Sequence, residues 1–307
     1  MEPTHLEKAI LQTLAWFSVS SYPVTRFELW KWMYQPGNAY SLWDVHRSLE
    51  KSEYLRRRIE SKNGFFALRQ SESIDEQLEL RHDRFLDAVR KFAKLRRAAR
   101  LFALLPSVKG VAAGNTLAWW HTNEQSDIDL FIITKPRSIW STRAFLVLPF
   151  AVLGKRPNTQ DPKNQKADPF CFSFFVTEQA LALESLRLPG EDPYFSFWTR
   201  SLVPIFDREA VFDRMHKKNS WVEKDLPHAS PRPFHPEIGI RMRFTIPVPR
   251  LESFARSVQM KRFPAPLKEQ ANLDSRIVIT DEMLKFHSND RRTLFKNLWK
   301  KRRETVS

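Results

Sequence analysis

Ser126-Asp127-Ile128-Asp129-Leu130-Phe131-Ile132-Ile133 is the stretch on which the reading of this chain turns. Side chains alternate across a strand, so two carboxylates one residue apart in an apolar, β-branched run point to the same face. Like charges held that close repel unless a cation neutralises them, and carboxylate oxygens on a rigid element suit Mg²⁺. A Ser-Asp-x-Asp run also caps helices and turns. Here, however, Leu130 to Ile133 are strand formers without helical spacing, which predicts a strand. Upstream lies Val111-Ala112-Ala113-Gly114-Asn115-Thr116, a short apolar strand running into a tight turn. Gly114 would let the backbone approach a phosphate, and the Asn115 and Thr116 side chains supply donors for it. Ser126 adds a further polar contact beside the acids. Strand, turn, about a helix's worth of chain and a paired-Asp strand form a plan for holding a metal-bound nucleoside triphosphate.

The order Gly114-Asn115, eleven residues, then Asp127-Ile128-Asp129 resembles the signature of the polymerase-β-like nucleotidyltransferase superfamily, over residues 105–180. That signature is a Gly-Ser or Gly-Gly turn followed at similar distance by an Asp-x-Asp/Glu strand. The wider layout, with Asn219-Ser220-Trp221-Val222 and Met283-Leu284-Lys285-Phe286-His287, is similar to bacterial proteins that carry a nucleotidyltransferase domain. The resemblance implies an α/β (α+β) fold built on a small mixed sheet. It also implies Asp127 and Asp129 as catalytic Mg²⁺ ligands, and Gly114 and Asn115 positioning the β- and γ-phosphates. The implied reaction moves a nucleoside monophosphate from a triphosphate to an acceptor hydroxyl.

There are two departures from the pattern. Asn115 stands for the usual Ser, and its amide can still donate to phosphate. The third carboxylate is the larger difference, because the strand expected over Phe170 to Thr177 contains no acid. Ser173 stands where the family would carry one, and Asp168 and Glu178 are the nearest acids. In two-metal chemistry that carboxylate holds the metal that activates the attacking oxygen. Without it the same fold would serve as a slow transferase or as a nucleotide- or nucleic-acid-binding regulatory protein.

The chain of 307 residues, 42% of them hydrophobic, is long enough for two or three domains with real cores. A single cysteine, Cys171, excludes a disulfide framework, and its aromatic surroundings read as those of a buried small hydrophobe. The N-terminus lacks the basic and apolar regions of a signal peptide. The longest apolar stretch, Ala144 to Gly154, falls short of the ~20 residues of a membrane span. A soluble cytoplasmic protein is expected. The formal charge of +15 favours a polyanionic partner such as nucleotide, nucleic acid or another anionic acceptor. Residues 81–100 hold eight Lys/Arg against two Asp. They follow helical spacing, and Arg96, Arg97 and Arg100 stand near the end that leads into the Gly114 strand.

Three regions are expected: 1–70, 71–185 and 186–307. In the first, helical spacing over His5 to Ser18, a Thr25/Glu28 capping box and Ser41 as a further cap predict three helices. Strands at Tyr54 to Ile59 and Phe65 to Arg69 flank Asn63-Gly64, the strongest short hairpin signal. This order looks like a winged helix-turn-helix. Its third helix carries net −1, so docking or substrate presentation fits better than DNA reading. Region 71–185 is read as the nucleotidyltransferase core, with a helix over Ile139 to Leu153 and a polar loop over Lys155 to Asp168 that reads as an ordinary insertion or as a lid. The last region is expected to be mainly helical: Gln179 to Leu188, Tyr194 to Val203, Arg208 to Lys217 and Leu251 to Met260. It also carries a Pro-rich wrap at 226–250, a short strand Ile277 to Ile279 and a basic end, Asp290 to Arg303. His287 reads as a packing or capping residue.

Overall fold

The computed structural model describes residues 2–69, 72–154, 168–249 and 251–306. The expected lid lies outside them except for Asp168. The fold is mixed α and β, with two sheets.

Local chemistry dictates the N-terminal region. Thr4 caps α1 (His5–Ser18), accepting from the Glu7 N–H while Glu7 accepts from the Thr4 N–H. After β1 (Val24–Thr25), the same capping box recurs with Thr25 and Glu28 at α2 (Arg26–Lys31). Ser41 and Asp44 repeat it at α3 (Leu42–Lys51). Ser52 ends α3 and caps a further turn, α4 (Glu53–Arg56), by accepting from the Leu55 N–H. The strand expected from Tyr54 is therefore helical there and begins only with β2 (Ile59–Lys62). β2 pairs antiparallel with β3 (Phe65–Leu68) through Asn63 (φ 52°) and Gly64 (φ 81°), the two positive-φ positions of a type I′ turn. β3 lies between β1 and β2. This region buries a core that includes Ile10, Leu14, Val45 and Leu55, and Phe197, Trp299 and Val306 from later in the chain join it.

The central region begins with α5 (Ile74–Leu104), capped by Ser73 and Glu76. It continues through β4 (Val108–Ala113), α6 (Asn115–Ala118), β5 (Ile128–Thr134), α7 (Ile139–Val152) and β6 (Phe170–Thr177). β4 runs antiparallel to β5, and β5 runs parallel to β6, the long connection through α7 giving the parallel step.

Beyond β6, the helix expected over Gln179 to Leu188 is absent apart from a short 3₁₀ turn, Glu184–Leu186. Leu181 and Leu183 alternate inward with exposed neighbours, as in extended chain. Asn219 occupies their backbone groups: its Oδ1 accepts from the Leu183 N–H (2.8 Å) and its amide donates to the Leu181 carbonyl (2.6 Å). α8 (Pro193–Ser201) is followed by β7 (Val203–Asp207), α9 (Val211–Lys218) and α10 (Val222–Asp225). Residues 226–249 form neither helix nor strand. Arg96 fastens this wrap by donating to the carbonyls of Gly239 and Pro236, each at 3.3 Å. α11 (Glu252–Arg262), α12 (Ala265–Glu269), β8 (Ile277–Ile279), β9 (Met283–Phe286) and α13 (Arg292–Val306) complete the chain.

The large sheet has six strands in the order β7-β4-β5-β6-β9-β8. Three of them come from the region expected to be mainly helical. One face buries Ile128, Leu130, Ile132, Phe170 and Phe172 under α5, α7 and α11. The other buries Phe131, Ile133, Phe174 and Val176 under α8, α9 and the 181–186 segment.

Candidate functional site at the Asp127–Asp129 strand

Asp127 immediately precedes β5 and Asp129 lies within it, on the face covered by α8. The preceding loop is held from below by Lys91, fully buried on α5, whose Nζ donates to the carbonyls of Asn123 (2.6 Å) and Ser126 (2.5 Å). Burial pushes the Asp129 carboxyl up to about 6; a hydrogen bond from Asn115 opposes this and the charge on Asp127 adds to it. Two carboxylates thus stand close together at the head of β5, and the positive charge of Lys91 also opposes the rise at Asp129.

The turn behaves differently from expectation at Gly114. Its φ of −119° is ordinary extended backbone, and its N–H donates to the Asp129 carbonyl at 3.0 Å. That donor is therefore engaged within the sheet and does not face a phosphate. A Cβ here would stand 3.1 Å from the Trp198 indole nitrogen, a tight contact that glycine avoids. The positive φ falls on Asn115 (49°), a residue type that tolerates it. Asn115 donates to the Asp129 carboxylate and accepts from the Tyr194 hydroxyl at 3.2 Å. It thus orients the metal-type carboxylate. Thr116 is exposed beside it. Ser126 closes its own turn, its Oγ donating to Asn123 Oδ1 (3.0 Å) and accepting from the Asn123 N–H (3.1 Å).

Neither candidate third acid joins the pair. Asp168 is buried and held by Arg90 (2.8 Å to Oδ1), Lys94 (3.1 Å) and Lys91 (3.4 Å). Burial alone would raise its pKa, yet the hydrogen bonds from Arg90 and Lys94 hold it at about 2. Its charge is already neutralised. Glu178 follows the opposite end of β6, since Asp129 pairs with Cys171 whereas Thr134 pairs with Thr177. It accepts from Arg214 at 2.6 Å. Among the described residues, no three His, Cys, Asp or Glu side chains gather as a metal-ion set.

What faces Asp129 on β6 is Cys171, hydrogen-bonded to its carboxylate and to Ser173. Ser173 Oγ lies 3.0 Å from His287 Nε2, just past β9. The β5–β6 register shifts between Asp129 and Phe131, the partners stepping from Cys171 to Phe174. This bulge adds a residue to β6 and reverses its inside–outside alternation. Burial pushes the Cys171 thiol well up and His287 down to about 3, with the positive charge of Lys285 adding to the latter. Tyr194, Asn115, Asp129, Cys171, Ser173 and His287 therefore form one hydrogen-bonded line across the sheet. In it Asp129 is the group that ionises near neutrality. Period-two alternation places Cys171 on the Asp129 side, so a signal for it existed in the sequence; none existed for Tyr194.

Among the described residues, Asp127 and Asp129 stand as a pair without a third carboxylate beside them. The charge expected from the end of α5 is spent elsewhere, with Arg96 on the Pro-rich wrap and Arg97 and Arg100 exposed. Among the described residues no helix is long and apolar enough to cross a membrane. Set against family models, curated proteins and solved structures, the chain matches none of them.

Proposed function

We propose that the chain is a nucleotidyltransferase of the polymerase-β-like type. It takes a nucleoside triphosphate with Mg²⁺ and transfers the monophosphate to an acceptor hydroxyl. The observation that carries this reading is the Asp127–Asp129 pair at the head of a strand flanked by an antiparallel and a parallel neighbour. The Asn115 turn stands directly against the second carboxylate. Asp127 and Asp129 would hold the metal, which would supply charge stabilisation at the transferring phosphorus. Asn115 keeps Asp129 in place, and the exposed Thr116 hydroxyl is available to a phosphate oxygen. In the reaction the acceptor oxygen bonds to the α-phosphorus and pyrophosphate departs.

The N-terminal helices and hairpin fit a winged-helix arrangement, in which we assign α1 and the β1-β3-β2 sheet to support of the site rather than to reading DNA. The acidic balance of α3 supports that assignment.

A second reading is favoured by Cys171 and Ser173, which stand where a third carboxylate would be needed. On that reading the site binds Mg²⁺–nucleotide without efficient turnover and serves regulation.

Calorimetric titration of each of the four triphosphates with and without Mg²⁺ tests both readings, with wild type beside the Asp127→Asn/Asp129→Asn variant. Mg²⁺-dependent binding that vanishes in the variant is expected. Equal binding by the variant, or no binding by wild type, would refute the site. Pyrophosphate release in the presence of candidate acceptors then separates the transferase from the binder.

A further inference from the structure

A cavity of about 110 Å³ lies between the N-terminal region and the sheet, directly against Asn115 and Thr116. Its walls are aromatic. Trp16 of α1 and Tyr22 come from the N-terminal region, Trp119 follows α6, Tyr194 and Trp198 stand on α8, and Phe295 comes from α13. The rings are braced by one another: Tyr194 meets Phe295 at 5.4 Å and Trp16 at 6.2 Å, both edge to face, and Tyr22 meets Trp119 at 6.2 Å.

Two features separate this cavity from a packing defect. The Tyr194 hydroxyl donates to Asn115, which in turn donates to Asp129, so one asparagine side chain separates the aromatic wall from the carboxylate pair. His121 also lines the cavity, and it is 4% exposed. Its Nε2 is engaged by Arg84 (2.5 Å) and lies 3.0 Å from the Ser20 carbonyl, but its Nδ1 finds no partner among the described residues. A buried ring nitrogen without a partner costs free energy.

From the aromatic walls and the contact with the Asn115 turn, we infer that this cavity receives the base of the nucleotide. The inference rests on the reading of Asp127 and Asp129 as a metal–triphosphate site. It adds that recognition of the base is built jointly by residues from three distant parts of the chain. A flat heteroaromatic ring matches such walls because every base has a π-face to stack. The N-terminal region is then part of the substrate site.

The test compares three probes in the presence of Mg²⁺: a nucleoside triphosphate, inorganic tripolyphosphate and the free nucleoside. Wild type is set beside Ser20→Trp and Trp119→Ala. Ser20 is exposed at the edge of the cavity, so a bulky replacement fills it without disturbing the core. Thermal melts check that both variants are folded. The triphosphate should bind at least about tenfold tighter than tripolyphosphate and quench tryptophan fluorescence, as base stacking requires. Each folded variant should lose that advantage while keeping the affinity for tripolyphosphate. If triphosphate and tripolyphosphate bind alike, or Ser20→Trp keeps the wild-type ratio, the base lies elsewhere while the metal–phosphate reading stands. If neither phosphate compound binds, the metal–phosphate reading falls and this inference falls with it.

Discussion

Asp129→Asn should make the metal-free protein more stable while abolishing nucleotide binding. The carboxyl sits in the fold with a pKa of about 6, against 3.8 in an unfolded chain. A rise of about 2 units corresponds to roughly 3 kcal/mol of preference for the neutral form. The folded protein binds its proton more tightly than the unfolded one, so stability falls as pH climbs from 3.8 to 6 and stays reduced above that. Asparagine has the shape of the protonated acid and offers an oxygen to the Asn115 amide, so it removes this cost. The variant should gain about 3 kcal/mol at pH 8 and roughly half of that at pH 5. Wild type and variant would be unfolded in urea at both pH values, with chelator present to exclude metal. Thermal midpoints should differ by about 5 °C at pH 8. Groups titrating elsewhere, such as His121, act equally in both proteins and cancel in the difference. A variant less stable than wild type at pH 8, or a gain independent of pH, would refute the account of Asp129 as a carboxylate held at a cost for cation binding.

Asp168→Asn should cost about 2–4 kcal/mol at pH 7, read by denaturant unfolding, because it leaves Arg90, Lys91 and Lys94 without their common buried partner. The wild-type contribution is complete above pH 3.8 and is lost as pH falls through about 2, because the folded pKa is depressed. Gly64→Ala should cost about 1 kcal/mol by the same assay, since the hairpin needs φ of 81° there. Cys171→Asp sets a carboxylate opposite Asp129. In chelator it should destabilise by more than about 2 kcal/mol, and Mg²⁺ should restore part of this. A rise in pyrophosphate release by Cys171→Asp would show that the missing third acid limits transfer; unchanged release would speak for the regulatory reading.

What the sequence made legible was what is decided locally. The capping boxes at Thr25 and Ser41 and the Asn63-Gly64 turn act within four residues, and each forms as its chemistry requires. The strands at Asp129 and Phe170 follow from period-two apolar runs. β7 escaped because Pro204 reads against a strand; the proline is tolerated because β7 is an edge of the sheet. The 181–186 segment read as helix because nothing local announces that Asn219 takes its backbone groups. The extra residue in β6 is likewise invisible in Phe-Cys-Phe-Ser-Phe-Phe, yet it decides which side chains accompany Asp129. The aromatic cavity draws on α1, α8 and α13, so no window of sequence contains it.

Net charge proved the least direct of the clues, and the fate of the basic segment 81–100 shows why. Arg81 pairs with Glu28 at 2.7 Å. Arg90, Lys91 and Lys94 converge on Asp168. Arg96 holds backbone carbonyls of the wrap. These cations act as internal fasteners, with partners far away in sequence, and only Arg97 and Arg100 of the later group remain exposed. A count of +15 therefore overstates the charge that this segment offers to an anion. Lys91 is likewise committed, to the loop beneath the Asp127–Asp129 strand. On the proposed reading, the burial that raises the Asp129 carboxyl is the cost that a bound Mg²⁺ would offset.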